Sequence, residues 1–462
     1  MYDIVINGGT IFDPKTRIET IGNIGISEGV IKDISREKME GKKIIDAKKK
    51  VVCPGFIDIH SHINFPIEPA WMSVRQGITT CLSGNCGLTP HLPISEYLDK
   101  IESQGYPLNF AMLVGHSWKL REMVGLSDIK QAADKDQMKQ MVKLAEQALK
   151  DGAFGISFGI EYAPGTSDDE CLSLVELAAK YDKLVTVHTR AGALDFAEGL
   201  YQVISWIEKT GVRVQVSHLI YMFGLHPHTM DMALSMINDA YERGLPILCD
   251  SGMYEAFATY VQSNAFDEGW YNWYQGELSD LMISSGKYKG MRATQEIYED
   301  VRNNERDTVG TAFVGREPDV IKAILQPYTM ISTDAGLVDA PGEGHPQDSG
   351  TFPKVFEKLV RKQGVLSMMD AVYKCTYMPA VQMGIEKNKG WLGTGADADI
   401  VIFNPRTIRS NSDYVGIGEP DAPPSGIEYV IVNGKCAVED SKENRDVLAG
   451  KVLRQANGVW HM

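Results

Sequence analysis

Short, almost continuously apolar runs alternate with amphipathic stretches of helical period through the middle of the chain. Strands of this kind, alternating with helices, are typical of βα units that build a parallel sheet. Eight units predict an α/β fold, a closed (β/α)8 TIM-type barrel, with an open, doubly wound sheet as the structural alternative. The eight runs lie at residues 53–60, 77–84, 110–116, 154–161, 184–188, 212–218, 245–250 and 328–334.

The stretches between the runs carry helix signals. Ser167, followed by three acidic residues, predicts a capped helix start. Residues 136–150 carry a stripe of apolar side chains with helical spacing. That stripe is formed by Met138, Met141, Val142, Ala145, Ala148 and Leu149.

The two ends of the chain share a different pattern, in which short strands are separated by Gly turns. Val5-Ile6-Asn7-Gly8 and Ile431-Val432-Asn433-Gly434 nearly repeat each other. We therefore predict one small β-sandwich, built from residues 1–53 and 385–462, beside a catalytic barrel of residues 54–384. The alternative is two unrelated β appendages.

Nearly 80 residues separate the seventh run from the eighth, and this stretch is rich in Tyr and Trp. One helix needs far less chain, so we predict an insertion at about residues 251–315. An insertion at that point lies over the catalytic face of a barrel. It suits a substrate lid or an oligomer interface, and both roles are compatible.

Composition narrows the classes of function. The 462 residues carry a formal net charge of −15, which argues against general nucleic-acid binding. We expect no secretory signal, because the first residues contain no basic region followed by an apolar one. We expect no membrane span, because no apolar run of 18 residues occurs. The seven scattered cysteines favour free thiols in a reducing, cytoplasmic setting. A small-molecule substrate fits these features, and a homo-oligomer is compatible with them.

The eight runs end in polar residues of metal-ligand or acid/base type. Because the carboxyl ends of parallel barrel strands face the active site, we expect these side chains to converge. Imidazole, thiolate and carboxylate groups together suit Zn²⁺ or a similar divalent metal. The strand-end residues are His60, His62, His116, Glu161, His188, His218, Asp250 and Asp334.

Three of these features have a plain structural alternative. A lone His usually packs in the core or on the surface, but His60 and His62 point the same way on an extended segment, which favours a metal. Cys86, between Asn85 and Gly87, is either a small packing residue or a ligand. Asp334 is either a helix N-cap or the general base and acid that carries the reaction's proton.

The residues match a known family. The chain resembles the amidohydrolase superfamily over essentially its whole length, and within it the N-acyl-D-amino-acid deacylases. The matching motifs are Pro54-Gly55-Phe56-Ile57-Asp58-Ile59-His60-Ser61-His62, Asn85-Cys86-Gly87, Gly159-Ile160-Glu161-Tyr162-Ala163-Pro164-Gly165, His188-Thr189-Arg190, Ser217-His218, Ser332-Thr333-Asp334 and Gly344-His345-Pro346.

The resemblance implies a metal-dependent hydrolase of a non-peptide C–N bond, with one or two Zn²⁺ ions or other divalent metals per subunit. It assigns His60, His62 and Cys86 to one metal, and Cys86 with His188 and His218 to the other. A metal-activated water would attack the amide carbonyl, with Asp334 as the proton shuttle. Glu161 is a further candidate as an additional or bridging ligand.

The resemblance also implies substrate contacts, and here the chain departs from the pattern. Tyr162, Arg190 and His345 match positions that face substrate. A Lys and an Arg that hold the substrate α-carboxylate in the family are replaced by Ile220 and Gln347. We expect a rebuilt carboxylate grip. The alternatives are a ring-opening amidohydrolase of the hydantoinase or dihydroorotase kind and a non-catalytic paralogue, which the intact ligand set disfavours.

Overall fold

The strands and helices follow the alternation predicted for the middle of the chain. The structure, a computed structural model, describes residues 1–190, 196–226 and 228–455. The strands are β1 (Tyr2–Asp13), β2 (Ile18–Ser27), β3 (Val30–Ser35), β4 (Gly41–Asp46), β5 (Val51–Pro54), β6 (Phe56–Asp58), β7 (Ile78–Ser83), β8 (Asn109–Met112), β9 (Val114–Gly115), β10 (Gly155–Gly159), β11 (Leu184–His188), β12 (Val214–Val216), β13 (Ile247–Ser251), β14 (Phe257–Tyr260), β15 (Leu281–Ile283), β16 (Val309–Ala312), β17 (Thr329–Ile331), β18 (Ile400–Phe403), β19 (Ile427–Val432), β20 (Lys435–Glu439) and β21 (Lys442–Glu443). The α-helices are α1 (Glu68–Arg75), α2 (Ile94–Gln104), α3 (Arg121–Met123), α4 (Lys135–Lys150), α5 (Asp168–Lys180), α6 (Phe196–Thr210), α7 (Leu219–Phe223), α8 (Thr229–Glu242), α9 (Trp270–Trp273), α10 (Gln295–Asn304), α11 (Glu317–Leu325), α12 (Gln347–Lys354), α13 (Met368–Cys375) and α14 (Tyr377–Met383). Shorter 3-10 segments span Ile160–Tyr162, Asn264–Phe266, Leu278–Asp280 and Gly286–Tyr288, and π-helical segments span His116–Leu120 and Val355–Lys362.

A parallel barrel occupies the middle of the chain. Strands β6, β7 and β8 pair in that order, and β9, β10, β11, β12, β13 and β17 form the rest of the wall. β8 and β9 are the two halves of the third barrel strand, which is interrupted at Leu113. A parallel bridge between Ser61 and Ala335, with a hydrogen bond from the Asp334 N–H to the His60 carbonyl at 2.9 Å, closes β17 against β6. The predicted (β/α)8 barrel is confirmed.

The barrel helices begin where the sequence places caps. α4 starts after Asp134, whose carboxylate accepts from the backbone of residues 136 and 137, while the Gln137 side chain reaches back. α5 starts after Ser167, whose hydroxyl accepts from the Glu170 N–H at 3.2 Å. Met141, Ala145 and Leu149 of the predicted stripe are buried. Among the described residues, no helix is both long and apolar enough to cross a membrane.

Both chain ends build one nine-stranded sheet, ordered β21-β20-β19-β18-β5-β1-β2-β3 with β4 also pairing with β1. β5 is the junction, because it runs parallel to β1 and antiparallel to β18. An isoleucine-rich core under this sheet includes Ile6, Ile26, Ile400 and Ile431. The predicted β-domain made by both ends is confirmed. The first barrel strand was predicted within residues 53–60, and its start is corrected here. Residues 51–54 pair in this sheet, and only residues 56–58 form the barrel strand.

The exact domain boundaries stay predictions, and residues 456–462 of the last segment lie outside the described residues.

The stretch after β13 folds into its own antiparallel sheet, ordered β14-β16-β15, together with α9 and α10. α11 then returns the chain to β17, so that one ordinary barrel helix follows the excursion. Because the excursion leaves from the carboxyl end of β13, it stands at the mouth of the barrel, where the strand-end residues meet.

Candidate metal centre

Two groups of metal-ligating side chains meet at the carboxyl ends of the barrel strands. The first is His60, His62, Cys86 and Asp334, and the second is Cys86, His188 and His218. Within each group the candidate ligand atoms all lie within 4.8 Å of one another, and all members are buried. Cys86 belongs to both groups, so its sulfur could join either set of histidines in holding a metal.

The individual contacts show how closely these atoms converge. In the first group, Oδ1 of Asp334 lies 3.2 Å from Nε2 of His60 and 3.0 Å from Nε2 of His62. The Cys86 sulfur lies 3.3 Å from Nε2 of His60 and 3.4 Å from Nε2 of His218.

These spacings fit a metal. Zinc bonds of about 2.0–2.3 Å in a tetrahedral site place neighbouring ligand atoms about 3.3–3.7 Å apart. The sulfur–nitrogen distances at Cys86 fall in that range, and the nitrogen–oxygen distances at Asp334 lie just below it. Thiolate, imidazole and carboxylate donors are also the set that zinc prefers in proteins. The residues present therefore fit a divalent metal of the zinc type.

Three residues of the centre have left-handed backbone. Cys86 has φ 52°, His218 has φ 32° and Asp334 has φ 59°. A non-glycine residue in this region costs free energy and persists where its surroundings determine it, which is common at functional sites. Gly159 completes the packing here, since a Cβ on it would lie 2.2 Å from the Cys86 carbonyl oxygen.

Electrostatics favours the ligating forms of Cys86 and Asp334. Burial by itself raises the pKa of the Cys86 thiol, but the charges of His60 and His218 outweigh it and hold that pKa well below its usual value. Burial also opposes ionisation of Asp334, yet hydrogen bonds and charge from His60, and a hydrogen bond from His62, lower its pKa well below the usual range. Thiolate and carboxylate are the forms that bind metals.

A narrow chamber, with about 30 Å³ open to the centre of a water-sized sphere, lies above the second group. His188, His218, Asp334 and Glu161 form its floor side, and Oε2 of Glu161 lies 2.6 Å from Nε2 of His188. The insertion after β13 supplies part of the wall. The remaining lining residues are Tyr162, Tyr221, Met222, Phe257, Ala258, Thr259, Ala265 and Tyr274.

Two family models, both described as the amidohydrolase family, match residues 51–252 and 337–438. Together they cover more than half of the chain, including Cys86 and the four histidines of the two ligand groups but not Asp334. The chain belongs to the amidohydrolase family. It is accordingly a metal-dependent hydrolase of carbon–nitrogen bonds other than peptide bonds.

Known amidohydrolases resemble it over almost the full length. D-aminoacylase of Alcaligenes xylosoxydans xylosoxydans is 27% identical over 94% of this chain and 94% of its own. A D-aminoacylase structure determined in a study of its binuclear metal centre superposes with a TM-score of 0.86, at 26% identity, over 98% of this chain and 100% of the other. N-acyl-D-glutamate deacylase from Bordetella bronchiseptica, complexed with zinc and a phosphonate mimic of the tetrahedral intermediate, gives a TM-score of 0.84 at 26% identity over the same shares.

The structure of this amidohydrolase separates the predicted substrate-contacting residues. Tyr162 lines the chamber, and its hydroxyl lies 3.3 Å from that of Thr259 in the insertion. Arg190 instead lines a neighbouring outer cleft, where its guanidinium donates to the carbonyl oxygens of Pro164 and Thr166. Glu161 borders both spaces.

Ile220, His345 and Gln347 lie outside the chamber lining among the described residues. Ile220 is fully buried in the main core. Gln347 donates to the Asp334 carbonyl at 2.8 Å and accepts from the Tyr221 hydroxyl at 2.8 Å. His345 lies behind Gln347, whose N–H donates to its Nδ1 at 3.2 Å. Direct substrate contact by these three residues therefore has no geometric support, and Gln347 acts through its neighbours.

Asp250 is a residue that sequence reasoning placed only as a strand end. Its carboxylate lies 3.3 Å from Nδ1 of His60 and accepts from the His218 N–H at 3.0 Å. Gln215 and Ser332 donate to it as well, at 2.6 and 2.7 Å. Asp250 thus ties both histidine groups together. The sequence shows an acidic residue at the end of a buried strand, but it does not show which atoms that carboxylate contacts.

His116, another strand-end histidine, lies away from the metal centre. Its Nε2 contacts Oε1 of Glu170 at 2.8 Å, and the buried Arg121 donates to the same oxygen. The third barrel strand ends at Gly115, and His116 begins a π-helical turn directed at α5. This cluster supports the end of β10 through Ser117, whose hydroxyl accepts from the Gly159 N–H at 2.9 Å.

Proposed function

We propose that this amidohydrolase is a deacylase that cleaves the amide bond of a small N-acyl compound. The observation that supports this proposal best is that two ligand groups share Cys86 and that His188, His218 and Asp334 of these groups line a chamber. Support also comes from the relatives, whose names record deacylation of D-amino-acid derivatives, and from a zinc complex of one of them with a mimic of the tetrahedral intermediate.

The proposed ligands are His60, His62 and Cys86 for one zinc ion, and Cys86, His188 and His218 for another. Glu161 is proposed as an additional ligand of the second ion, because its carboxylate contacts His188. A bound divalent metal supplies polarisation of the amide carbonyl and raises the acidity of water. The two sites need not be equally filled, since only the first includes Asp334.

Asp334 is proposed to move the proton. Its carboxylate borders the chamber and is held ionised, so that it can accept a proton from the attacking water. It then delivers that proton to the departing nitrogen. Left-handed backbone at Asp334 turns its carboxylate towards His60 and His62, at the meeting point of the two groups.

The insertion at about residues 251–315 is proposed to act as the lid of this site. Phe257, Thr259 and Tyr274 close the chamber on the side away from the barrel floor. The Asn264 amide donates to the Glu161 carbonyl at 2.5 Å, which ties the lid to the loop after β10. Closure of this kind excludes water and strengthens electrostatic interactions with the substrate.

Turnover of zinc-loaded and chelator-treated protein tests the function. The panel holds N-acyl-D-amino acids, N-acyl-L-amino acids, uncharged N-acyl amines, hydantoins and dihydropyrimidines. We expect metal-dependent release of an amine from a linear N-acyl compound. Ring opening alone would move the protein to the cyclic amidohydrolases, and silence of the loaded enzyme on both kinds would contradict amide hydrolysis.

A cytoplasmic location is part of the proposal, and it fits the seven buried, free cysteines. Homo-oligomer formation stays a prediction from the aromatic insertion.

A further inference from the structure

The chamber above the metal centre is walled by aromatic and apolar side chains. Tyr221, Phe257 and Tyr274 face it together with Met222 and Tyr162. Among the described residues that line it, none is Lys or Arg. Residues 191–195, which the structure does not describe, contain no Lys or Arg in the sequence either.

The polar groups behind this wall are engaged with each other. Both ends of the Gln347 amide are occupied, one by the Asp334 carbonyl and the other by the Tyr221 hydroxyl. His345 has both ring nitrogens in use, since Nδ1 accepts from the Gln347 N–H and Nε2 lies 3.1 Å from the Ala256 carbonyl oxygen. His345 therefore has no free N–H group, and Gln347, whose amide keeps one further N–H, does not line the chamber.

Apart from His188 and His218, which belong to the second ligand group, the charged side chains that border the chamber are carboxylates. Glu161 and Asp334 contribute carboxylates, and the faces of aromatic rings carry partial negative charge. A substrate carboxylate beside these groups would lose its hydration without gaining a cationic side-chain partner, which disfavours binding strongly. An uncharged apolar or aromatic group would instead pack against the rings and release water.

We propose that the compound hydrolysed here is an N-acyl amine whose chamber-bound part carries no carboxylate and is apolar or aromatic. This inference rests on the proposed deacylase function. It separates the protein from relatives whose names specify N-acyl-D-glutamate and N-acyl-D-aspartate. Arg190 does not substitute for a chamber cation, because it lines the outer cleft and binds the carbonyls of Pro164 and Thr166.

Binding of a matched pair of inhibitors tests the inference without requiring turnover. The pair consists of the methylphosphonamidates of phenylalanine and of phenylalaninamide, in both enantiomers, titrated by calorimetry into the zinc-loaded protein. They differ only in whether a carboxylate or a neutral amide stands beside the mimic of the tetrahedral intermediate. We expect the neutral member to bind about tenfold more tightly or better.

A cation placed in the chamber should reverse this preference. Met222→Arg sets a guanidinium on the chamber wall, so that the carboxylate member gains at least about tenfold in affinity relative to the neutral one. The matched control is Met232→Arg, which changes an exposed methionine on α8 and should leave the ratio unchanged.

The outcomes distinguish the two levels of proposal. Equal or tighter binding of the carboxylate member to the wild-type protein would overturn the inference while leaving the deacylase function standing. Failure of both members to bind the zinc-loaded protein would remove the proposed function, and the inference with it.

Discussion

Nδ1 of His60 lies 3.3 Å from Oδ2 of Asp250, and this contact turns the other ring nitrogen towards the Cys86 sulfur. Metal-binding histidines commonly donate their second N–H to a carboxylate in this way, which fixes the tautomer and the ring orientation. Asp250 also accepts from the His218 backbone, so one buried carboxylate positions a member of each ligand group.

Asp250→Asn should therefore weaken metal binding without removing any ligand. The Asn side chain carries no negative charge opposite His60. Its NH2 group would also face the groups that donate hydrogen bonds to Asp250 in the wild-type protein. We expect about a 10–100-fold loss of zinc affinity, measured by competition with a chromophoric chelator. Asp239→Asn, an exposed change on α8, is the matched control, and equal affinities of the two variants would contradict the role of Asp250.

Asp334→Asn should separate proton transfer from metal binding. A neutral amide cannot accept the proton, so we expect kcat to fall by about 10²–10⁴-fold. The ligand group of Cys86, His188 and His218 does not include Asp334, and one metal per chain should be retained. Turnover and metal analysis of the same preparation check both statements. A variant that keeps wild-type kcat would exclude Asp334 as the proton carrier.

The barrel and the positions of the ligand groups could be predicted because topology determines them. When βα units repeat, the carboxyl end of every strand reaches the same mouth, so a polar residue ending an apolar run has a known location. His60, His62, His188 and His218 follow this rule. His116 does not, because its barrel strand breaks at Leu113 and the side chain turns towards Glu170.

Other features could not be predicted because they depend on contacts far apart in the chain. The pairing of β14 with β16 joins segments about 50 residues apart, and no local pattern specifies that register. The engagement of Gln347 by Tyr221 likewise depends on how α7 packs against α12. Motif position alone assigned Ile220 and Gln347 to the substrate, whereas tertiary packing buries both.

The buried Lys374 should make the free energy of unfolding depend on pH in the alkaline range. Burial lowers the pKa of Lys374 from 10.5 to about 8, and its amine donates to the carbonyl oxygens of Gln326 and Thr329. Between pH 8 and 10.5 the unfolded chain binds the proton and the folded chain does not, so this residue makes stability rise with pH. Lys374→Met should remove up to about 3 kcal/mol of that rise.

Urea unfolding at several pH values between 7 and 10.5 measures the difference between wild type and Lys374→Met. Lys139→Met, an exposed change on α4, should keep the wild-type slope. Parallel pH profiles of wild type and Lys374→Met would show that the Lys374 pKa is not lowered in the folded protein.

Glu170→Gln should destabilise the fold through Arg121. Glu170 is fully buried on α5, where one oxygen contacts Arg121 and His116 and the other accepts from the Ala133 N–H at 3.1 Å. Removing the negative charge leaves the buried guanidinium without its counter-ion, because its remaining contacts are to neutral oxygens. Loss of one partner of a buried ion pair costs about 3–5 kcal/mol. The midpoint of urea unfolding should fall accordingly, while Glu176→Gln, on the exposed side of the same helix, should change stability by less than about 0.5 kcal/mol.

Because the cluster supports β10 through Ser117 and Gly159, the variant should also bind zinc more weakly at the group containing His188. A midpoint equal to that of Glu176→Gln would mean that Arg121 is compensated without Glu170. A zinc affinity equal to that of Glu176→Gln would mean that the cluster has no part in holding the metal centre.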